Sequence, residues 1–471
     1  MDYPYPSSVY QYFTELAAIP HGSGNTAGIR KWCLETAKRL HIEAYADETG
    51  NVIMKKPASA GYEDHPGVIL QGHMDMVCAK LPDCTKNMET DGLDLVWDGD
   101  YLRADGTTLG GDDGIAVAYA FAVLEDDAIL HPLLTVILTV DEETGMDGAT
   151  GLSPDALTGK YLINIDSEEE GVFTVGCAGG VRSHLRFPCE MQTVTGTKLT
   201  LTVSGLTGGH SGAEIHKPLL NANLAVLEIL RALPAGYCLC GLAGGVRDNV
   251  IPTECTASLT AQNPDAAEQA IRAAFEHLRQ KNPQETGMKL HFSSESGTYD
   301  VLTADATAKL VQVLSQLPNG VQKMNERLNM PETSLNLGIF SLTDGVMQAD
   351  ALIRSGVNAE KYALADKLRT IAEQAGGTAS QSGDYAAWEY KPDTDLERKA
   401  AAVFTAQYGK APVIETIHAG LECGILTAKA PQLEAISIGP DLLDIHTPRE
   451  RLSISSAART WDLLCGLLRA L

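Results

Sequence analysis

Apolar positions follow two different periods in the first part of the chain. From about residue 8 to 176, segments with apolar residues at every third or fourth position alternate with short, almost wholly apolar runs. The first kind is typical of amphipathic helices and the second of buried strands. The predicted helices are VYQYFTELAAI, GIRKWCLETAKRLHI and GIAVAYAFAVLED, and the predicted strands are GVILQGHMD, LLTVILTVDE and YLINID. Alternation of the two predicts an α/β domain.

After Gly179-Gly180 the pattern changes to that of another kind of domain. TKLTLTVSG alternates apolar and polar residues as a strand does, and NANLAVLEILRAL follows with the period of a helix. Similar elements continue to about residue 390, and the order strand, helix, strand recurs within residues 197–260 and 333–382. We predict an inserted α+β domain, and the recurring order suggests a duplicated αβ sandwich half.

The last part of the chain returns to the first pattern. LERKAAAVFTAQYG predicts a helix, LEAISIG a strand and ISSAARTWDLLCGLLRAL a final helix. We therefore expect an α/β domain formed by residues 1–183 and 392–471, with residues 184–391 as the inserted domain.

Composition narrows the range of functions. The 471 residues are 44% hydrophobic and 6% aromatic, which is typical of a globular protein of two or more domains. The formal net charge of −25 argues against nucleic acid or an anionic membrane as a partner, because both require a basic surface. Small neutral or cationic substrates remain compatible with it.

Cysteine spacing and the chain start indicate the compartment. The ten cysteines contain no Cys-x-x-Cys pair, so neither a disulfide framework nor a thiolate zinc site is expected. MDYPYPSSVYQYF lacks the basic and apolar regions of a signal peptide, and no apolar stretch reaches the roughly 18 residues needed to span a bilayer. We expect an unprocessed cytoplasmic protein.

Six short acidic or histidine-bearing segments follow apolar runs at scattered positions. They are His73-Met-Asp75 in QGHMD, Asp112-Asp113 in GGDDG, Glu142-Glu143 in DEETG, Asp166 in NID, His210 in GGHSG and His446 in DIHTP. Carboxylates and imidazoles are costly to gather at strand ends unless a positive charge compensates them. A pair of divalent metal ions would supply that charge.

The donor types indicate which metals fit. Imidazole and carboxylate ligands without thiolates suit zinc, cobalt or manganese in a hydrolytic site. Two metal ions that share five protein ligands, one of them a bridging carboxylate, leave room for a water whose pKa they lower. We predict two ions, Zn²⁺ first and Co²⁺ or Mn²⁺ as alternatives, with the ligands His73, Asp112, Glu143, Asp166 and His446. Asp75 is expected to accept the hydrogen bond of the other ring nitrogen of His73.

The neighbouring glutamates receive different roles. Successive side chains leave an extended backbone in different directions, so Glu142 is assigned the general base and Glu143 the metal. Each segment alone also has a structural interpretation, such as a helix cap for Asp112-Asp113 or a solvated loop for the glutamates. Six of them at strand ends together favour the metal site.

Seven segments together resemble the M20 metallopeptidases, and within them the aminoacyl-histidine dipeptidases, also called Xaa-His dipeptidases or bacterial carnosinases. They are QGHMDMV, TLGGDDGIA, DEETGMDGA, NIDSEEEG, GGHSGAEIH, IHAGLECGI and SIGPDLLDIHTP. The resemblance covers essentially the whole chain. It implies a mixed-sheet α/β catalytic domain of the zinc-peptidase type, with a two-metal site and an inserted α+β lid domain.

The resemblance also implies roles for individual residues. It selects Asp112 rather than Asp113 as the bridging carboxylate and agrees with the division between the two glutamates. It assigns substrate binding to His210, Asn249 and Arg354 of the inserted domain and to Gly420. The family often has Asn or Lys at the position of Asp113, so we expect additional negative charge near the metals.

The implied reaction is the hydrolysis of Xaa-His and related dipeptides, including β-alanyl-histidine. Glu142 would take a proton from water and return it to the leaving nitrogen, while His210 would stabilise the oxyanion. Arg354 would bind the free carboxylate, because its guanidinium can contact both oxygens. A surface arginine and a helix-capping histidine are the structural alternatives. His216 and His418 are expected to have structural or supporting roles.

Other functions share parts of this pattern. An N-acyl amino acid deacylase or a tripeptidase of the same family would have the same metal residues and a different lid. A non-catalytic binding protein would be expected to have lost a ligand or Glu142, and none is missing. Closure of the lid would need hinges, which we expect near residues 179–187 and 388–394. Monomer and homodimer both remain possible.

Overall fold

The chain divides into two compact units, each with its own hydrophobic core. The structure is a computed structural model that describes residues 3–471. The first unit contains the chain up to Cys177 together with residues 390–416 and 421–471, and the second contains residues 178–389 and 417–420. Separate clusters of buried apolar side chains lie in the two units.

Helices and strands alternate along most of the chain. The helices are α1 (Ser7–Ala17), α2 (Ala27–Arg39), α3 (Gly111–Glu125), α4 (Glu142–Gly145), α5 (Asp147–Gly151), α6 (Ala222–Arg231), α7 (Pro264–Lys281), α8 (Ala304–Leu314), α9 (Asn358–Gln374), α10 (Asp395–Tyr408), α11 (Glu422–Lys429) and α12 (Ile454–Ala470). The strands are β1 (Glu43–Ala46), β2 (Val52–Lys56), β3 (Val68–His73), β4 (Leu95–Asp98), β5 (Tyr101–Ala104), β6 (Leu134–Thr139), β7 (Tyr161–Asn164), β8 (Val172–Cys177), β9 (Gly179–Pro188), β10 (Met191–Ser204), β11 (Gly209–His210), β12 (Cys238–Gly244), β13 (Val250–Ile251), β14 (Cys255–Thr260), β15 (Lys289–Leu302), β16 (Gly320–Asn325), β17 (Met330–Thr343), β18 (Val346–Ser355), β19 (Thr378–Tyr385), β20 (Val413–Ile417), β21 (Glu434–Ser437), β22 (Leu442–Leu443) and β23 (Arg451–Ser453).

The first unit contains a mixed sheet with the order β1-β2-β6-β3-β7-β21-β8-β20. Its central strands β6, β3, β7 and β21 are parallel, whereas β1, β2 and β8 pair in antiparallel fashion. Every residue of β3, β6 and β7 is buried, as expected for parallel strands that are covered on both faces. The parallel register brings the carboxyl ends of these three strands to one edge of the sheet.

Helix α3 is an apolar element at the centre of this core. Nearly all of its side chains are buried, and the ring of Phe121 packs against those of Tyr12 in α1 and Trp32 in α2. A helix that is apolar on every face must be enclosed by other elements. A smaller sheet of the order β22-β23-β5-β4 completes the first unit.

The second unit is built on an antiparallel sheet of nine strands. Its order is β15-β10-β14-β12-β17-β18-β9-β19, with β16 beside β17, and helices α6 to α9 contribute to its core. The order strand, helix, strand occurs in β10-α6-β12 and again in β18-α9-β19. The predicted mixed-sheet α/β fold with an inserted α+β part is confirmed, whereas the lid function of the insert remains a prediction. Within residues 3–471, no helix is both long and apolar enough to cross a membrane.

Candidate metal centre

Three of the predicted ligands lie where parallel strands end. His73 is the last residue of β3, Glu143 lies in α4 shortly after β6, and Asp166 follows β7. Asp112 comes from another direction, at the start of α3, where its own backbone angles and those of Asp113 are not helical. His446 lies between β22 and β23 with a left-handed backbone, at φ 59°.

Asp112 faces both histidines. Its Oδ1 is 3.0 Å from Nε2 of His73, and its Oδ2 is 3.0 Å from Nε2 of His446. One carboxylate therefore belongs to two overlapping groups of candidate ligands. Asp166 completes the first group, with its Oδ1 3.6 Å from Nε2 of His73, and Glu143 completes the second, with its Oε1 2.9 Å from Nε2 of His446.

The donor atoms of each group are close enough to hold one cation. The groups are His73, Asp112 and Asp166, and Asp112, Glu143 and His446, and the ligand atoms within a group lie within 4.8 Å of one another. Nitrogen and carboxylate donors without sulfur fit divalent zinc, cobalt or manganese. The structure thus brings together all five residues predicted as metal ligands.

Contacts between the imidazoles and carboxylates of this cluster shift their pKa values. Burial alone would lower the pKa of His73, but contacts with Asp112, Asp166 and Asp75 raise it well above its usual value. Hydrogen bonds to Asp112 and Glu143 raise the pKa of His446 to about 10. Burial raises the pKa of Asp166 to about 6 although His73 opposes this effect. Positive charge is therefore favoured at the centre of the cluster, as a metal site requires.

Asp75 has a wider role than predicted. Nδ1 of His73 lies 2.9 Å from the backbone oxygen of Asp75 and 3.4 Å from its carboxylate, so the shorter distance identifies the backbone oxygen as the main acceptor. The carboxylate instead accepts the backbone N–H of Glu142 at 3.0 Å and the hydroxyl of Ser23 at 2.8 Å. Asp75 therefore orients both the histidine and the loop that carries the two glutamates.

The surroundings of Asp113 oppose the negative charge that was predicted for it. Asp113 is buried, and its Oδ2 accepts the backbone N–H of His73 at 3.1 Å. Burial and the neighbouring carboxylates of Asp166 and Asp112 raise the pKa of Asp113 well above its usual value. These surroundings favour the protonated side chain, which supports the strand end that presents His73.

Glu142 differs from Glu143 in its contacts. Within residues 3–471, the carboxylate of Glu142 makes no hydrogen bond or ion pair, whereas that of Glu143 contacts His446. Burial raises the pKa of Glu142 well above its usual value, and His73 opposes this effect. The two adjacent glutamates are therefore directed to different surroundings.

The predicted substrate-binding residues lie in the second unit, where His210 and Arg354 are neighbours. Arg354 is only 7% exposed, donates from Nη1 to the hydroxyl of Tyr385 at 2.9 Å and has a buried Nε without a hydrogen-bond acceptor. No carboxylate pairs with it in the described part of the chain. A buried guanidinium without a counter-charge is expected to bind an anion. The alternative of an exposed or ion-paired arginine does not apply.

The protonation of His210 follows from its contacts. Its Nδ1 accepts the backbone N–H of Ala213 at 3.2 Å, so a neutral ring carries its proton on Nε2. Burial and the nearby charge of Arg354 lower the pKa of His210 and favour the neutral ring. The residues that follow are turns rather than a helix, so His210 is not a helix cap.

Two other predicted residues lie beside them. The backbone oxygen of Asn249 accepts the N–H of Ser211, which follows His210, and Gly420 lies two residues after His418. His418 is buried, its Nε2 is 2.6 Å from the hydroxyl of Ser334, and burial with the charge of Arg354 lowers its pKa to about 3. These contacts are those of a structural residue, and the supporting role of His418 stays a prediction.

Comparison with known proteins identifies the family. Residues 69–470 match the model of peptidase family M20/M25/M40. The chain belongs to this family. It is 34% identical to the cytosol non-specific dipeptidase of Escherichia coli K12 over 472 residues, which cover 98% of the chain and 97% of the relative.

Solved structures agree with this assignment. The structure of aminoacylhistidine dipeptidase from Vibrio alginolyticus superposes with a TM-score of 0.91 at 32% identity, covering 99% of this chain and 97% of that one. An aminopeptidase from Bacillus cereus shares the fold, with a TM-score of 0.56 at 17% identity over 98% of both chains. The protein is therefore an M20 metallopeptidase, a hydrolase that acts on peptide bonds.

Sequence reasoning missed two buried glutamates of this M20 metallopeptidase. Glu450 accepts the backbone N–H groups of Leu109, Gly110, Gly111 and Asp112 at 2.7–3.3 Å and so fixes the turn that presents Asp112. Glu450 follows His446 closely, but nothing in that spacing indicates the turn as its partner.

The second missed residue is Glu422, which is 0% exposed and accepts hydrogen bonds from Gln71 and Thr139, each at 2.6 Å. Its Oε1 has no partner. Burial raises the pKa of Glu422 to about 7. The segment IHAGLECGI contains this residue, but the family resemblance implied a role only for Gly420 of that segment.

Proposed function

We propose that this M20 metallopeptidase hydrolyses dipeptides with a free carboxyl terminus, including Xaa-His dipeptides and β-alanyl-histidine, at a site for two divalent cations, with Zn²⁺ expected. The observation that carries the proposal is the placement of Asp112, which turns one carboxylate oxygen to each histidine. This arrangement suits a carboxylate shared by two cations. The names of the relatives from E. coli and V. alginolyticus support the substrate class, and the former also supports a cytosolic location.

Each side chain of the site has a role in the proposed reaction. Divalent cations held there would polarise the peptide carbonyl and lower the pKa of a nearby water. Glu142 accepts a proton from the attacking water and passes it to the leaving amine nitrogen. His210 donates from Nε2–H to the carbonyl oxygen as that oxygen becomes negative. Asp75 holds Glu142 in place through its backbone N–H.

The unpaired charge of Arg354 supports recognition of a carboxylate. A free carboxyl terminus can accept two parallel hydrogen bonds from a guanidinium, which a neutral amide cannot do with the same strength. Dipeptides and N-acyl amino acids both carry such a terminus. The names of the relatives favour dipeptides as substrates. Deacylase and tripeptidase activities are the alternatives that the substrate panel below distinguishes.

A substrate panel with the metal-loaded enzyme tests the proposal. β-Alanyl-histidine and other Xaa-His dipeptides should be hydrolysed with a higher kcat/KM than N-acetyl amino acids or tripeptides. Preference for either of the latter would overturn the substrate assignment. Metal analysis of the same preparation should give two divalent ions per chain.

Two matched variants test the division of roles. Glu142→Gln should lower kcat by about 10²- to 10⁴-fold, as expected for the loss of a general base, while the bound metal stays constant. Glu143→Gln should lower the metal content as well, because it removes a negatively charged ligand. Full activity in Glu142→Gln would contradict the mechanism.

A further inference from the structure

A cavity in the first unit adjoins the candidate metal centre. Its volume is about 720 Å³, which lies in the usual range of small-molecule sites. Glu143 and Thr144 form part of its wall, and the rest comes from residues 22–25, 76–78 and 88–90. Nothing in the proposed mechanism uses this space.

The cavity wall is connected to the loop that carries Glu142. The hydroxyl of Ser23 donates to Asp75 at 2.8 Å, and Asp75 in turn accepts the backbone N–H of Glu142. The backbone N–H of Gly24 donates to the carboxylate of Asp141 at 2.6 Å. The segment 22–25 is therefore fixed relative to the reacting groups.

Glu89 gives the cavity a negative charge that no protein cation neutralises. Glu89 is an exposed residue of the wall, and its carboxylate forms no ion pair in the described residues. Glu143, the other carboxylate of the wall, already contacts His446. No lysine or arginine belongs to the described wall.

The two lysines nearest to Glu89 in sequence have other partners. Nζ of Lys80 donates to the backbone oxygen of Lys86 at 2.6 Å. Nζ of Lys86 donates to the backbone oxygen of Gly92 at 2.6 Å and pairs with Asp94 at 3.0 Å. Neither lysine therefore pairs with Glu89.

The position of Glu89 is fixed by its own loop. The side chain of Asn87 accepts the backbone N–H of Glu89 at 3.1 Å, and the side chain of Asn25 donates to its backbone oxygen at 2.9 Å. The same wall includes the apolar residues Met76, Val77 and Met88. Flexible methionines adapt to an aliphatic chain, so the cavity combines an apolar surface with an anionic group.

We propose that this cavity binds the side chain of the N-terminal residue of the dipeptide and favours lysyl and arginyl residues, an inference that rests on the proposed dipeptidase function. The carbonyl attacked in a dipeptide belongs to its N-terminal residue, so that side chain leaves the substrate one carbon from the reacting atom. The aliphatic part of a lysine then lies along the methionines, and its ammonium group pairs with Glu89.

Substrates with side chains of equal length distinguish the effect of side-chain charge from that of side-chain size. With the full-length, metal-loaded enzyme, Lys-Ala should have a higher kcat/KM than norleucyl-Ala, which has a side chain of similar length without the charge. Glu89→Gln should lower the ratio of these two values about three- to fivefold, the effect of an exposed ion pair. Asp83→Asn, a neutralised carboxylate of the same segment outside the wall, should leave the ratio unchanged.

A second variant tests the space itself. Met88→Trp should lower kcat/KM for Lys-Ala and norleucyl-Ala at least tenfold relative to Gly-Ala, because the indole fills the cavity. An unchanged Lys-Ala to norleucyl-Ala ratio in Glu89→Gln, or an equal loss on all three substrates in Met88→Trp, would overturn the inference. Failure of the proposed function would give a different result from failure of this inference, since the wild-type enzyme would then hydrolyse none of these dipeptides.

Discussion

Burial of Glu422 makes its charge state depend on folding. The side chain is inaccessible to solvent, accepts hydrogen bonds from Gln71 and Thr139, and has a pKa of about 7 because burial disfavours the carboxylate. In the unfolded chain, the same group would titrate near its usual pKa of about 4.3. The folded state therefore binds its proton more tightly than the unfolded state.

This difference predicts a pH-dependent stability. Between about pH 4.3 and 7 the folded state holds more protons at Glu422, so the free energy of unfolding should fall as pH rises through that window, by about 4 kcal/mol in total. Glu422→Gln mimics the protonated form and should remove this contribution. Urea unfolding of the metal-free proteins at pH 5 and pH 8 measures it: the variant should gain relative to the wild type at pH 8. Equal pH dependence of both proteins would contradict the prediction.

Arg354 offers a test of carboxylate recognition at a single side chain. Arg354→Lys keeps the positive charge but loses the paired N–H groups of the guanidinium, so KM for dipeptides should rise by about tenfold or more. The preference for a dipeptide over its C-terminal amide should fall with it, which a structural defect would not cause. Arg369→Lys, at an exposed arginine of α9, is the matched control. An unchanged preference would show that Arg354 does not contact the carboxylate.

The sequence predicted the positions of the metal-site residues better than their partners. His73 and Asp166 could be predicted because carboxyl ends of parallel strands meet at one edge of a sheet. The acceptor for Nδ1 of His73 could not be predicted, because it depends on the local turn after β3. The raised pKa of Asp113 also depends on burial and on neighbours that come together only in the folded chain.

At the level of elements, the turn before α3 is held by a distant side chain. Glu450, 341 positions after Leu109, accepts successive backbone N–H groups of this turn. A glutamine there would bring an N–H₂ group against N–H donors, which leaves buried groups unpaired and costs about 1–3 kcal/mol.

Glu450→Gln should therefore reduce both stability and metal affinity. Urea unfolding of the metal-free protein and titration with Zn²⁺ measure the two effects. Glu43→Gln, at an exposed position of β1, is the control and should change neither. Weaker metal binding without a loss of stability would mean that Glu450 acts on the site by another route.

Element boundaries were predictable for helices with periodic apolar residues, such as α1 and α2. The sequence placed α3 correctly but gave no sign that Asp112 and Asp113 depart from helical backbone angles. Strand β15 was harder to predict, because this edge strand is mostly exposed and its middle, SSESGT, contains no apolar side chain that could alternate with polar ones. The strand is stabilised by its antiparallel pairing with β10, which its own sequence does not indicate.

At the scale of the molecule, the presence of two separate hydrophobic cores predicts that metal binding stabilises only the unit that holds the metal. The candidate ligands all belong to the first unit. A ligand present at a hundred times its Kd stabilises the folded state that binds it by about 2.7 kcal/mol. Zn²⁺ should therefore slow amide hydrogen exchange in α3 by up to about a hundredfold and leave β17 and β18 unchanged. Hydrogen exchange of the full chain with Zn²⁺ or with a chelator provides the measurement, and equal slowing in both units would mean that they unfold together.

The shared carboxylate of Asp112 has a consequence for metal stoichiometry. Under the proposed assignment, each cation shares one ligand with the other, so occupation of one position alters the affinity of the other, and linkage requires the effect to be mutual. A titration of the metal-free enzyme would then be described by two coupled constants rather than by two independent ones. The enzyme with a single ion would accordingly be a distinct species, with its own affinity and its own activity.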